Sequence, residues 1–262
     1  MDQPKGYVDP EYLELTARLV NQAKLKSYTQ LRLAEGSRVL DVGCGAGIDT
    51  LALARLVGPS GWVAGIDYDE QMIAEADRRA RSAGVSTWTQ HQKADASSLP
   101  FENEEFHASR SERMFQHLQN PESALREMIR VTRPGGRIVV LDTDWGSMSV
   151  DSNETEIEQR LFRFHAEVQL HNGYSGRKLY RQFKTHGLIE IEIEILPQHS
   201  LSYPLSQKVV NLPTTEQAAL LAGVVSSEEL ERWHTNLEKA EETGMFFAMV
   251  NMVLVSASKV VS

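Results

Sequence analysis

Cysteine is nearly absent: the chain of 262 residues holds one, Cys44. A single thiol excludes an intramolecular disulfide framework and any cysteine-rich zinc site. Long apolar runs are missing as well, so no segment reads as a membrane span. The opening MDQPKGYVDPEYLELT lacks the basic-then-apolar form of a secretion signal. Positive charge is in deficit, with 27 Lys and Arg against 36 Asp and Glu and a net charge of −9. That balance argues against broad, charge-driven nucleic-acid binding. No internal repeat or low-complexity stretch occurs. The expectation is a cytoplasmic globular protein, and 41% hydrophobic residues suffice for one sizeable core.

Short β-rich runs alternate with longer helical stretches. Strands are predicted over 38–42, 62–67, 87–93, 106–109 and 137–142, and helices over 49–57, 70–83 and 122–132. Such alternation implies an α/β fold, a mostly parallel sheet with helices on both faces. Helices over 154–170 and 177–186 follow, then a strand over 190–196 whose IEIEIEI alternation predicts one buried and one solvated face. The last strand is expected over 246–256. A helical insertion over 204–244 precedes it, so the final pair is antiparallel and the sheet carries a reversed edge strand. No linker divides the chain, which reads as a single domain.

The segment VLDVGCGAGIDT places three alternating glycines, Gly43, Gly45 and Gly47, between an apolar strand ending in Asp41-Val42 and a helix. Such a turn lets a ligand approach the backbone closely. A dinucleotide GxGxxG fits in neither frame, because Ile48 or Thr50 stands where the third glycine belongs. A phosphate loop fails for want of Gly-Lys-Ser/Thr. Roughly twenty residues on, the second strand ends in Asp67, suitably placed to accept hydrogen bonds from ribose hydroxyls. KADASSLPFENEEF and EMIRVTRPGGRIVVLD come next in order.

Together these motifs resemble the class I S-adenosylmethionine-dependent methyltransferases over about the first 145 residues. The resemblance implies a Rossmann-like sheet and S-adenosyl-L-methionine as cofactor. By position it assigns cofactor binding to Asp41, Gly43 and Gly45, to Asp67 with Tyr68 and Met72, to Asp95 with Ala96, and to the fourth-strand end at Arg110 and Ser111. The Pro-Gly-Gly turn is structural. Residues 1–30 then become an N-terminal lid helix offering Tyr7 and Tyr12. Residues 31–145 form the cofactor core, and 146–262 the acceptor side, with the 204–244 insertion at the acceptor mouth or at the interface of a homodimer.

SRSERMFQHLQNPESALREM resembles the ubiquinone/menaquinone-type and natural-product enzymes, which act on small molecules. DNA amino-methylation lacks its Pro-Pro tetrad, because Ser109–Ser111 read Ser-Arg-Ser. Cytosine-C5 methylation lacks a Pro-Cys nucleophile. Asp142 and Asp144 offer two oxygens for a metal, without an assignable third, so no metal site is expected. Trp145 either stacks on a planar acceptor or closes the core edge. The expected activity is O- or C-methylation of a small-molecule acceptor, mainly by alignment. His117 is the candidate general base, and His165 and His171 are expected to be packing or surface residues. Two alternatives stand: a non-methylating cyclisation or rearrangement assisted by the sulfonium, and a catalytically silent cofactor-binding protein.

Overall fold

The computed structural model describes residues 20–261. The predicted lid aromatics Tyr7 and Tyr12, and most of the segment carrying them, lie outside the described residues. What is described of that segment is helix α1 (Asn21–Gln30).

Strands and helices then alternate: β1 (Arg38–Val42), α2 (Ile48–Val57), β2 (Trp62–Asp67), α3 (Glu70–Ser82), β3 (Thr89–Lys93), β4 (Phe106–Glu112), α4 (Pro121–Val131) and β5 (Thr132–Val150). Local chemistry starts the helices. The Asp69 carboxylate accepts from Gln71 N at 2.8 Å to cap α3, and Asn120 caps α4 with Pro121 in its first turn. After β5 come α5 (Thr155–Phe164), α6 (Ser175–Thr185), β6 (Ile189–Ser200), α7 (Tyr203–Val209), α8 (Leu212–Leu221), α9 (Ser227–Glu242) and β7 (Ala248–Ser258). A π-helical turn, His165–Gln169, extends α5.

The seven strands lie in the order β3-β2-β1-β4-β5-β7-β6. Strands β1 to β5 are parallel, and β7 runs antiparallel to both β5 and β6. The α/β class and the antiparallel final pair are as expected. The position of the reversed strand is not: β7 sits one place in from the edge, and the edge strand β6 points the same way as β5. A crossover through α6 carries the chain past the place that β7 later fills.

The two sheet faces carry separate cores. Leu40, Val42, Ile138 and Val140 pack with Leu125 and Met128 of α4 and with Leu179 and Phe183 of α6. Val39, Val63, Val139 and Leu141 pack on the other face with Ala23 of α1, Leu53 of α2 and Ala80 of α3. A third cluster joins Leu161 of α5 to Tyr203, Leu212, Trp233 and Leu237 of the insertion.

The IEIEIEI strand departs from its expected burial. Ile191 packs against the core, but Ile193 and Ile195 are 48% and 63% exposed. The glutamate face is the pinned one: Glu192 pairs with Arg32 at 2.7 Å and with Arg137 at 3.4 Å, and Glu194 pairs with Lys26. Being at the edge, β6 has α6 over only one end of its apolar row.

Candidate active site

The sheet order reverses between β1 and β4, the place where open α/β sheets leave a crevice at the carboxyl ends of their strands. A cleft of about 1470 Å³ opens there. Its floor is the glycine turn. Gly43 N and Cys44 N donate to Ile66 O at 2.8 and 2.9 Å, binding the turn to β2. Gly43, Gly45 and Gly47 all have positive φ, at 77°, 51° and 76°. A Cβ on Gly43 would lie 2.6 Å from Met114 Cγ, and one on Gly47 would lie 2.7 Å from Ala76 Cβ of α3. Gly47 therefore serves helix packing, and Gly47→Ala combines left-handed backbone strain with a steric clash. It is expected to cost about 2–4 kcal/mol in urea unfolding. A loss below about 1 kcal/mol would show that α3 yields easily.

Asp67 closes the turn from the β2 side. Its Oδ2 accepts from Gly45 N at 2.9 Å and its Oδ1 from Asp69 N at 3.0 Å, while burial raises its pKa. Gly43, Gly45, Asp67, Tyr68, Met72, Asp95 and Ala96 all border the cleft. Met72 and Ala96 are buried, and Tyr68 and Asp95 stand at the exposed rim. Bare backbone beside a carboxylate at a strand end suits the uncharged ribose and the amino-acid head of S-adenosylmethionine. The lysine on the cleft wall beside this cradle, Lys24, is already held by Asp49 and Glu112.

Three predicted cofactor residues sit elsewhere. The Ser111 hydroxyl is buried and donates to Val42 O at 2.9 Å. Arg110 is wholly buried between the sheet and α1, where Nη1 meets Asp41 Oδ1 at 3.0 Å and Asp49 Oδ2 at 3.3 Å, and Nη2 meets Glu112. Asp41 lies beneath the turn rather than in the cleft, with Oδ2 unpartnered and its carboxyl pushed up to about 7 by burial. The reason is register. Residues 108, 110 and 112 of β4 face α1, so Arg110 points into that layer, and Ser111 points into the opposite core. Lys24 of α1 completes the cluster, 2.7 Å from Asp49 and 3.0 Å from Glu112. Lys24, Asp49 and Glu112 reach the cleft wall. Sequence reasoning missed all three as site residues, because no local pattern links α1 to the ends of β1 and β4.

The other motifs are structural clamps. Arg130 of α4 donates to Leu99 O at 2.9 Å and to Phe101 O at 2.8 Å, fixing the LPF segment. Gly136 has no room for a Cβ, which would lie 2.7 Å from His107 O. Asp142 accepts from Gln116 N, Thr143 N and Ser175 Oγ, and burial pushes its carboxyl up to about 7. Asp144 is held by Arg177 Nε at 2.8 Å. Among the described residues no three His, Cys, Asp or Glu side chains gather as a metal site. Cys44 is a buried loop residue whose thiol pKa burial raises.

The rest of the cleft runs between β5, the π-helical turn, β7 and α7. Four of the eight histidines border it: His117, His165, His171 and His199. His165 was expected to be a packing or surface residue, yet it forms part of this wall. His117 follows β4 on a short 3₁₀ turn, Phe115–His117. Burial lowers its pKa to about 4, helped by Arg113 and the neighbouring histidines, so its ring is neutral at pH 7. Trp145 borders the same space, its Nε1 donating to Gln116 Oε1 at 2.8 Å. The insertion contributes α7 and the residues after it, including Leu205 and Val209, to the wall of this part of the cleft. Among the described residues no helix is long and apolar enough to cross a membrane.

A family model described as a methyltransferase domain matches residues 33–211. A 37.1 kDa protein of transposon Tn4556 in Streptomyces fradiae is 30% identical over 253 residues, covering 95% of this chain and 71% of that protein. Demethylmenaquinone methyltransferase of Lactobacillus johnsonii is 32% identical over 123 residues, covering 47% of this chain. The chain's match spans about half the length of that relative, 50%. Geranyl diphosphate C-methyltransferase of Streptomyces coelicolor, solved with Mg²⁺, geranyl diphosphate and S-adenosyl-L-homocysteine, superposes with a TM-score of 0.61 at 19% identity. That superposition covers 99% of this chain and 90% of the other, a likeness of fold. With the domain match running from just before the glycine turn into the insertion, the cleft over that turn acquires a family: the chain belongs to the class I methyltransferases, whose cofactor is S-adenosylmethionine.

Proposed function

We propose that the protein transfers the methyl group of S-adenosylmethionine to the oxygen, or to a hydroxyl-activated carbon, of a small and largely apolar acceptor. The observation that carries this reading is the continuity of the cleft. One space joins the glycine turn and Asp67 to a wall of Trp145, Met148, Leu205, Val209, Met249 and Met252. At about 1470 Å³ it exceeds the roughly 300–1,000 Å³ of a single-ligand pocket, which leaves room for cofactor and acceptor together.

The cofactor brings an electrophilic methyl group on a sulfonium centre. The chain's own part is placement. The glycine turn, Asp67, Asp95 and the buried faces of Met72 and Ala96 hold one end. Trp145 and the methionines hold the acceptor. A nearby histidine, neutral at pH 7, takes the hydroxyl proton, and His117 and His165 are both within this wall. Methionine side chains adapt to irregular shapes, which suits a bulky apolar acceptor.

The test is release of S-adenosylhomocysteine on incubation with S-adenosylmethionine and a panel of naphthols, naphthohydroquinones and prenyl alcohols. Acceptor-dependent release with a methylated product is expected. Conversion of an acceptor without S-adenosylhomocysteine would favour the cyclisation reading. Release only with a protein or tRNA acceptor would refute the small-molecule assignment.

A further inference from the structure

Two histidines on the acceptor wall differ in what their ring nitrogens have left to offer, and their neighbours decide the difference. An indole N–H can only donate. Trp145 Nε1 donates to Gln116 Oε1 at 2.8 Å and thereby orients the Gln116 amide. The amide nitrogen then faces His117 Nε2 at 3.0 Å and donates to it. The Nε2 lone pair of His117 is used, its proton sits on Nδ1, and the residue presents an N–H to its surroundings.

His165 is arranged the opposite way. Gln169 Oε1 accepts from Thr215 Oγ1 at 2.7 Å and lies 2.8 Å from His165 Nδ1. A carbonyl oxygen only accepts, so Nδ1 carries the proton and Nε2 carries a lone pair. That Nε2 is buried and has no hydrogen-bond partner. Buried acceptors without partners are rare and costly, and one on the wall of a ligand cleft awaits a donor.

The backbone holds this geometry in place. His165 and Gln169, four apart, share a face, and a π-helical turn spans them, closed by Leu170 N donating to His165 O at 3.2 Å. Isolated π turns recur at functional sites. Gly173 lets the turn close, since a Cβ there would lie 2.3 Å from Ala166 O. Trp145 meets the His165 ring edge-on, with centroids 4.8 Å apart, and Trp145 N donates to Gly173 O at 2.9 Å. Burial also lowers the pKa of His165, keeping the ring neutral at pH 7.

We propose that His165, rather than His117, receives the acceptor's proton through Nε2, with Gln169 and Thr215 as positioning residues that hold its Nδ1–H. This rests on the methyltransfer reading given above. In the step itself, an oxygen lone pair of the acceptor forms the new O–C bond. The C–S pair returns to sulfur, the hydroxyl proton passes to Nε2, and the resulting imidazolium later yields that proton to solvent. His117 supplies an N–H that orients the acceptor.

Two measurements on the full chain test this. In ¹⁵N-histidine NMR, His165 is expected as the Nδ1–H tautomer, and Gln169→Leu should shift it to Nε2–H. With S-adenosylhomocysteine bound, 2-naphthol should bind about tenfold more tightly than 2-methoxynaphthalene, because only the former donates a hydrogen bond. His165→Phe should abolish that preference. His117→Phe should weaken both probes while keeping their ratio. Retained S-adenosylhomocysteine affinity in each variant reports an intact fold. A His165 found as Nε2–H, a preference surviving His165→Phe, or no preference in the wild type (including no binding of either probe) overturns the proposal. Failure of the wild type to bind S-adenosylhomocysteine would instead overturn the methyltransfer reading beneath it.

Discussion

Replacing Asp67 with alanine is expected to weaken S-adenosylmethionine binding at least about a hundredfold. The carboxylate ends β2 inside the cleft and accepts from Gly45 N and Asp69 N, so it shapes the turn as well as facing the cleft. Hydrogen bonds to a charged group contribute about 1.5–3 kcal/mol each. A ribose engages such a group through two hydroxyls, so the loss is about 3–6 kcal/mol, with every 1.4 kcal/mol a factor of ten. Asp67→Asn retains one acceptor oxygen and should fall between. Calorimetry with S-adenosylhomocysteine gives the comparison directly. An affinity unchanged in Asp67→Ala would remove Asp67 from the site. Because burial raises the Asp67 pKa, binding that needs the carboxylate should weaken as pH falls through that raised value.

Arg110→Met is expected to destabilise the fold by about 3–5 kcal/mol, the cost of breaking a buried ion cluster from one side. Arg110 and Lys24 are the two cations among Asp41, Asp49 and Glu112. Without the guanidinium, one ammonium faces three carboxylates, of which Asp41 is sealed beneath the turn. Asp41 already has a carboxyl raised to about 7 by burial despite Arg110, so it is the first to take up a proton. The variant's folded state would hold that proton where the unfolded chain does not. Its stability should therefore fall as pH rises through the raised value, and its deficit should be larger at pH 8 than at pH 6. Urea unfolding at both pH values measures this, and Asp41→Asn in the same background should recover part of the loss. A deficit below 1 kcal/mol at both pH values would mean that water reaches the cluster.

Much of the cleft's floor at the glycine turn was legible because its constraints are local. Glycines must stand where φ is positive, Asp67 must follow a strand, and both signals lie within short windows. The identity of Arg110 as a buried clamp was hidden. A strand residue shows its face only once the register beside β1 and the position of α1 are known, and the α1 residue that Arg110 contacts, Ser27, lies 83 positions away in sequence. The edge strand misled for the same reason. IEIEIEI announces alternation, but whether a helix lies over its isoleucines depends on strand order, and β7 arrives only after the insertion. The place of His165 on the cleft wall was not legible because one histidine on a helix carries little signal. The pair His165 and Gln169, four apart, was a usable hint of shared facing, although only the Thr215 contact from α8 shows which nitrogen is left bare.

The third apolar cluster shares no buried residue with either sheet core. Its members come from α5, the end of β5, the insertion and the start of β7, and α9 opens on its own capping box between Ser226 and Glu229. This makes the insertion, which lines one end of the cleft, a transplantable part. A chimera that exchanges the insertion for a relative's, with the α5 face exchanged alongside, would alter what the cleft admits while leaving the glycine turn and both sheet cores in place. The packing of this end of the cleft can thus change without the stability of the two sheet cores being drawn on for each change.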